Sequence, residues 1–98
     1  MIGIDITDWS RFAEMPDSKR QQIAQRYKHN YTDARQLAKW WACHEAVIKC
    51  LARSPNWLES RIEFPENSPP QYIGPETISL SLSHERNIIV AVALCLKS

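Results

Sequence analysis

At 98 residues the chain fits one domain, 1–98, and is too short for two. Hydrophobic residues at 44% and charged residues at 23% exclude a disordered chain, and a net charge of +1 excludes a strongly acidic or basic one. The longest apolar run, Ile88 to Leu96, is about half a membrane span, and Asp5 stands where a signal peptide carries cations, so a cytoplasmic protein without membrane contact is expected.

The opening segment alternates with period two, setting Ile2, Ile4 and Ile6 on one face and Gly3, Asp5 and Thr7 on the other, which predicts a strand. Trp9 to about Ala13 reads as a short helical segment. Pro16 suits the first turn of a helix running to about His29, with Asp17 near its positive end. A longer helix is predicted after Tyr31, capped by Thr32 or Asp33 and ending near Ala52, before Ser54-Pro55. Leu37, Trp41, Ile48 and Leu51 form its expected apolar stripe.

Trp57 to Phe64 reads as a strand with Leu58, Ile62 and Phe64 as apolar points. Glu66 to Pro70 is a loop, because consecutive prolines lack ladder donors. Thr77 to Ser83 alternates, with Ile78, Leu80 and Leu82 inward and Ser79, Ser81 and Ser83 outward. His84 to Asn87 turns the chain into Ile88–Leu96, apolar on both faces and therefore central or covered by another subunit. The order gives an α+β fold, a small antiparallel sheet packed with a long helix and shorter helices.

Cys43, Cys50 and Cys95 form an odd set without a Cys-x-x-Cys pair. Cys43 and Cys50, seven apart on one helix, are separated by about 10 Å, too far for a disulfide. Reduced thiols packed as small hydrophobes are expected. The small net charge hides an asymmetry. Arg11 to Arg53 holds nine basic residues against four acids, and the remainder three against seven. That pattern suits an acidic partner or a phosphate-bearing ligand, and equally two solvated helix faces.

Few residues carry chemistry. Asp5, in the middle of an apolar strand, must be solvated, paired or metal-bound, and a solvent-facing position is the commoner outcome. Glu45 and Lys49 share a helix face at i, i+4 spacing; they form a surface salt bridge or hold a divalent cation and a phosphate. His84 closes the serine row at the start of a turn, where it can simply bond its own backbone. His44-Glu45 lacks the second histidine of a zinc-protease helix, since position 48 is Ile.

In order, these pieces resemble the holo-acyl-carrier-protein synthases of the 4′-phosphopantetheinyl transferase superfamily. Gly3-Ile4-Asp5-Ile6 with Arg11-Phe12 resembles their opening block. Trp41 to Lys49 resembles their central aromatic, Lys-Glu-Ala and lysine motif. Ser81-Leu82-Ser83-His84 with Val90-Ala91-Val92-Ala93 resembles the carboxy-terminal block. Trp57, Ile62-Glu63-Phe64 and the loop Asn67 to Tyr72 match the weaker connecting region.

The resemblance implies Mg²⁺-dependent transfer of phosphopantetheine from coenzyme A to a serine of an apo-acyl carrier protein, releasing adenosine 3′,5′-bisphosphate. The carrier would be one of fatty-acid, polyketide or peptide synthesis. It implies Asp5 and Glu45 as metal ligands, with Lys49 on the departing phosphate. Asn67, Ser68, Pro69 and Pro70 would line the adenine side of coenzyme A, with Ser83 and His84 on its phosphates. Arg11, Arg20 and Arg26 would meet the acidic carrier. A homotrimer with sites between subunits is also implied. The chain departs from the pattern mainly by losing positive charge. His44 replaces a lysine, Trp40 stands where arginine is common, and Ser68-Pro69 replaces a glycine and a basic residue. Lys39, Arg53 or a neighbouring subunit's arginine are the candidates to compensate. Two other readings stay open: a relative that binds carrier or coenzyme A without transfer, and a small nucleic-acid binder using its basic helices, which a net charge of +1 disfavours.

Overall fold

Asp33 opens the element around which the chain is built. Its carboxylate accepts the backbone N–H of Gln36 at 2.8 Å, an N-cap worth about 1 kcal/mol. The helix it starts, α3 (Ala34–Leu51), ends at Ala52 in the left-handed region, φ 58°. The computed structural model describes residues 1–26 and 33–97, the last of these through its backbone alone. Within them lie β1 (Ile2–Asp8), α1 (Ser10–Ala13), α2 (Asp17–Arg26), β2 (Arg61–Glu63), β3 (Gln71–Ile73), β4 (Thr77–Glu85) and β5 (Ile88–Lys97).

The main sheet is antiparallel in the order β1-β5-β4, so the strand apolar on both faces is the central one. Ile2 pairs with Leu94 and Asp8 with Ile88 across β1 and β5. Glu85 pairs with Ile88 across β4 and β5, leaving a two-residue turn, Arg86-Asn87, with Arg86 at φ 54°. His84 and Glu85 therefore belong to the strand and not to the expected four-residue turn. β2 and β3 form a separate hairpin.

One face of the sheet packs on α3. Ile89, Ala91 and Ala93 of β5 and Ile78 and Leu80 of β4 are buried there, Leu82 partly so, as the alternation predicts. Their partners on α3 include Ala38, Ala42, Cys43, Ala46 and Val47. Leu37 of the expected stripe is buried, but Trp41, Ile48 and Leu51 are only half-buried. The deepest face is instead made largely of small side chains, because β1 lies too close for large ones. All three thiols are free, Cys43 and Cys50 buried and Cys95 half-buried.

Two further expectations are corrected. Trp57 to Phe64 is a strand only at Arg61–Glu63. Glu59 and Ser60 donate their backbone N–H groups to Asn56 O at 3.0 and 2.9 Å, a turn that leaves Leu58 exposed. The second helix is described as far as Arg26; its predicted continuation to His29 and the Thr32 cap lie outside the described residues. Among the described residues, no helix is long and apolar enough to cross a membrane.

The sheet approaches the helix backbone closely at Gly3. A Cβ there would collide with Ala46 O and lie 2.5 Å from Cys50 N, both rigid helix backbone. Gly3→Ala is expected to destabilise the chain by about 3 kcal/mol, the upper range for overpacking, as a lowered urea midpoint. An unchanged midpoint would mean that β1 lifts from α3 without cost.

Candidate active site

The period-two geometry of β1 decides which side chains meet α3. Gly3, Asp5 and Thr7 face the helix, while Ile2, Ile4 and Ile6 are exposed. Asp5 therefore does not take the solvent-facing position expected of an isolated aspartate. Its side chain is 13% exposed, and its oxygens accept from Thr7 Oγ1 at 2.7 Å and Lys49 Nζ at 3.1 Å. Lys49 Nζ also donates to Ile4 O at 3.0 Å. Lys49 thus pairs across the layer boundary with Asp5. Being 54% exposed, it makes a pair worth no more than about 1 kcal/mol.

Glu45 lies one turn before Lys49. Burial pushes its carboxyl above the ordinary glutamate value; the Asp5 charge adds to this and the Lys49 charge opposes it. Two carboxylates in each other's field, one resisting ionisation, make a donor set that a divalent cation would relieve. Among the described residues no group of three or more His, Cys, Asp or Glu could hold a metal. Two carboxylates suffice for Mg²⁺, which keeps waters and takes phosphate oxygens for its remaining positions.

A groove of about 660 Å³ opens at the other half of α3. The loop between β2 and β3 supplies one wall through Asn67, Ser68, Pro69 and Pro70. Gln36 and Lys39 of α3 stand on the helix side, and Ser81, Leu82 and His84 of β4 complete it. The structure thus brings five of the six expected coenzyme A residues of the loop and β4 to one cavity. Ser83 is not among its lining, whereas Ser81, two residues earlier on the same face of β4, borders the groove. Asp5, Glu45 and Lys49 lie outside this lining and form a second cluster.

The positions where resemblance leads one to expect cations are apolar in effect. Trp40 stacks on His44 with ring centroids 4.8 Å apart, and Trp57 covers the other side at 4.7 Å. His44 is 3% exposed, and burial pulls its pKa down to about 4. Arg53 is engaged by Glu76, Nη2 to Oε2 at 2.7 Å. The Arg20 guanidinium donates to Phe12 O at 2.8 Å and Met15 O at 2.7 Å, closing the end of α1. Arg11 and Arg26 are exposed.

Some of this was not expected. Thr7 could have been found, since it shares a strand face with Asp5 two residues away. Arg35, whose Nη2 lies 3.4 Å from His84 Nδ1, carries no signal in a linear reading because its neighbour is 49 residues off.

The buried neutral His44 makes stability fall as acid is added. Its folded pKa lies below its unfolded value of about 6.5, so protonation favours the unfolded chain from pH 6.5 down to about 4 and adds nothing further below. The loss is at most about 3 kcal/mol over that window. His44→Phe should flatten this limb, measured as urea midpoints against pH; an unchanged slope would show that another group causes it.

With this geometry in place, likeness to solved structures becomes informative. The chain matches holo-acyl-carrier-protein synthase from Helicobacter pylori, solved with coenzyme A, at a TM-score of 0.76 and 20% identity, covering 97% of this chain and 99% of that one. It matches the Neisseria meningitidis synthase at 0.75 and 21% identity, covering 98% and 97%. The Bacillus anthracis synthase in complex with CoA (3′,5′-ADP) matches at 0.69 and 20% identity, covering 99% and 96%. No protein-family model matches the chain, and the curated proteins give no match. Over nearly its whole length the chain has the α+β fold of the holo-acyl-carrier-protein synthases.

Proposed function

We propose that the chain transfers the 4′-phosphopantetheine group of coenzyme A to a serine of an apo-acyl carrier protein. The observation that carries this reading is the convergence of Asp5, Glu45 and Lys49 on one half of α3, with a groove of nucleotide size at its other half, in a fold whose solved relatives include coenzyme A complexes. The groove receives the adenosine end. The carrier serine attacks the phosphorus that bears the pantetheine arm, the P–O bond to the nucleotide side breaks, and adenosine 3′,5′-bisphosphate leaves.

Each residue has a distinct part. Glu45, its carboxyl raised by burial and by Asp5, takes the serine proton. Lys49 presents its ammonium to the departing phosphate and stabilises the charge that grows there. Asp5, held by Thr7 and Lys49, keeps a fixed negative oxygen beside Glu45. Asp5 and Glu45 are the residues that would hold Mg²⁺, which when bound neutralises pyrophosphate charge. Arg11 and Arg26 suit an acidic carrier, with Arg20 shaping that surface through its hold on α1.

The assembly we propose is a homotrimer. Ile2, Ile4 and Ile6 of β1 sit beside Leu94, Val92 and Val90 of β5 on the sheet face opposite α3, and Ile4 is 51% exposed. An apolar face of this kind is best buried against copies of the same chain.

Mass spectrometry of an apo-carrier protein incubated with coenzyme A and Mg²⁺ should show the added phosphopantetheine. Asp5→Ala and Glu45→Ala are each expected to abolish the transfer with the fold kept, and Lys49→Met to lower turnover ~10²–10³-fold. Near wild-type activity in either carboxylate variant at low Mg²⁺ would overturn their assignment. Coenzyme A binding without mass gain on several carriers would establish the non-transferring relative, the reading that buried Trp40 and His44 favour.

Light scattering should give a mass of about three times 11.4 kDa, and Ile4→Glu should lower it. A monomer with full transferase activity would overturn the trimer.

A further inference from the structure

Two of the three thiols meet outside both the carboxylate cluster and the groove. At Gly3 the sheet rests on the helix backbone, since a Cβ there would lie 2.5 Å from Cys50 N. Gly3 pairs with Ala93 of β5, and neighbouring strands stand about 4.8 Å apart. Cys95 is two residues beyond Ala93 and shares its face, because strand side chains alternate. That face is the one packed on α3. Ile89, Ala91 and Ala93 are buried on it, as is Ile78, which stands opposite Cys95 on β4. Cys95 N donates to Met1 O at 2.9 Å, which fixes the end of β5 beside β1. The helix and the central strand thus bring together Cys50 and Cys95, forty-five positions apart in sequence.

The two thiols differ in access. Cys50 is 1% exposed, whereas Cys95 is half-buried. Cys95 is a hydrogen-bond neighbour of the Cys50 thiol, whose ionisation is opposed by burial first and by the Cys95 sulfur second. Cys43 does not compete for either. It is fully buried, and its thiol is pushed up to about 12, by burial first and the Asp5 charge second. It also lies about 10 Å from Cys50 along the helix axis. Cys95 stands on the sheet face opposite the apolar rows of β1 and β5 proposed as the trimer contact.

We propose that Cys50 and Cys95 are an oxidisable pair, which hydrogen peroxide converts into a disulfide joining the last turn of α3 to the end of β5. Cys95, the thiol with solvent access, reacts first. Its sulfur attacks one peroxide oxygen, the O–O bond breaks, and the released hydroxide takes the thiol proton as water. The Cys50 sulfur then attacks the sulfenic sulfur of Cys95, the S–O bond breaks, and a second water carries off the Cys50 proton. The two sulfurs together give up two electrons, and one peroxide becomes two waters. A bridge between residues so distant in sequence restricts the unfolded chain, so it stabilises the fold in which it forms.

The test is peroxide treatment of the folded chain, followed by mass spectrometry of the intact protein and of its unreduced peptides, with circular dichroism to verify folding. Wild type and Cys43→Ala should each lose about 2 Da with Cys50 linked to Cys95, and a dithiol reductant should restore the mass. Cys95→Ala should keep its thiols over the same exposure. Cys50→Ala, which lacks the second sulfur, should instead gain one or two oxygens at Cys95, about 16 or 32 Da. Oxidised wild type should unfold at a higher urea midpoint than the reduced protein. Three free thiols after treatment, oxygen added to Cys95 of wild type without a link, a link that includes Cys43, a disulfide between chains, or a lowered midpoint would each overturn the proposal.

Discussion

The contact between Gly3 and the backbone of α3 is the constraint on which the site depends. With hydrogen in place of a side chain, β1 comes down onto Ala46 and Cys50, closer than any other residue type allows. Asp5, two residues along the same strand face, is thereby lowered to within an ion-pair distance of Lys49. The mutual effect of Asp5 and Glu45 has the same origin, since Coulomb interactions weaken as charges separate and as water enters between them. Ile4 O and Thr7 then fix the ammonium and the carboxylate from the strand side. Small residues on α3 are part of the same arrangement: Ala42, Cys43 and Ala46 are fully buried because larger ones would hold the sheet away.

The loop wall of the groove is positioned by a different set of forces. The stack of Trp40, His44 and Trp57 ties α3 to the segment that leads into β2. Beyond it, Tyr72 OH donates to Glu76 Oε1 at 2.6 Å, and Arg53 grips the other carboxylate oxygen at 2.7 Å. The pairing of Glu76 with both groups holds its carboxyl below the ordinary glutamate value, the tyrosine bond first among causes. Aromatic contact and the charge-assisted network both secure the open end of the β2–β3 hairpin, and the loop extends from its other end. The cost of this solution is electrostatic: a histidine inside an indole stack carries no charge to a phosphate, so any anion must be met elsewhere on α3.

How much of this was legible in the sequence follows from the range of each interaction. Periodicity revealed β1, β4 and β5, and the two-sided hydrophobicity of Ile88 to Leu96 marked the central strand. It did not say which face of β1 meets the helix, because three isoleucines argue for burial on the side that is in fact exposed. The α3 stripe was set by side-chain size, which selected Trp41, Ile48 and Leu51, whereas close packing selects alanine and cysteine. The strand expected from Trp57 was shortened by the Asn56 turn, a backbone effect that alternation alone does not reveal. Asp5, Glu45 and Lys49 stood out through resemblance and spacing. Arg35 did not, because its meeting with His84 is made by folding alone.

The outer sheet face adds a last constraint on how the site is completed. Its apolar residues lie on β1 and β5, in the rows Ile2–Leu94, Ile4–Val92 and Ile6–Val90, while β4 extends each row with a serine. Burial of this face by a second copy is therefore favoured over β1 and β5 and ends at the serine row. The groove lies on the β4 side, where Ser81 and His84 border it. Apolar contact and ligand groove thus occupy opposite edges of one three-stranded sheet. In a ring built on such faces, the hydrophobic effect draws the β1 edges inward and leaves the β4 edges toward water, where a charged ligand can enter. The same serine alternation that marks β4 as an edge strand sets the groove apart from the apolar rows of β1 and β5.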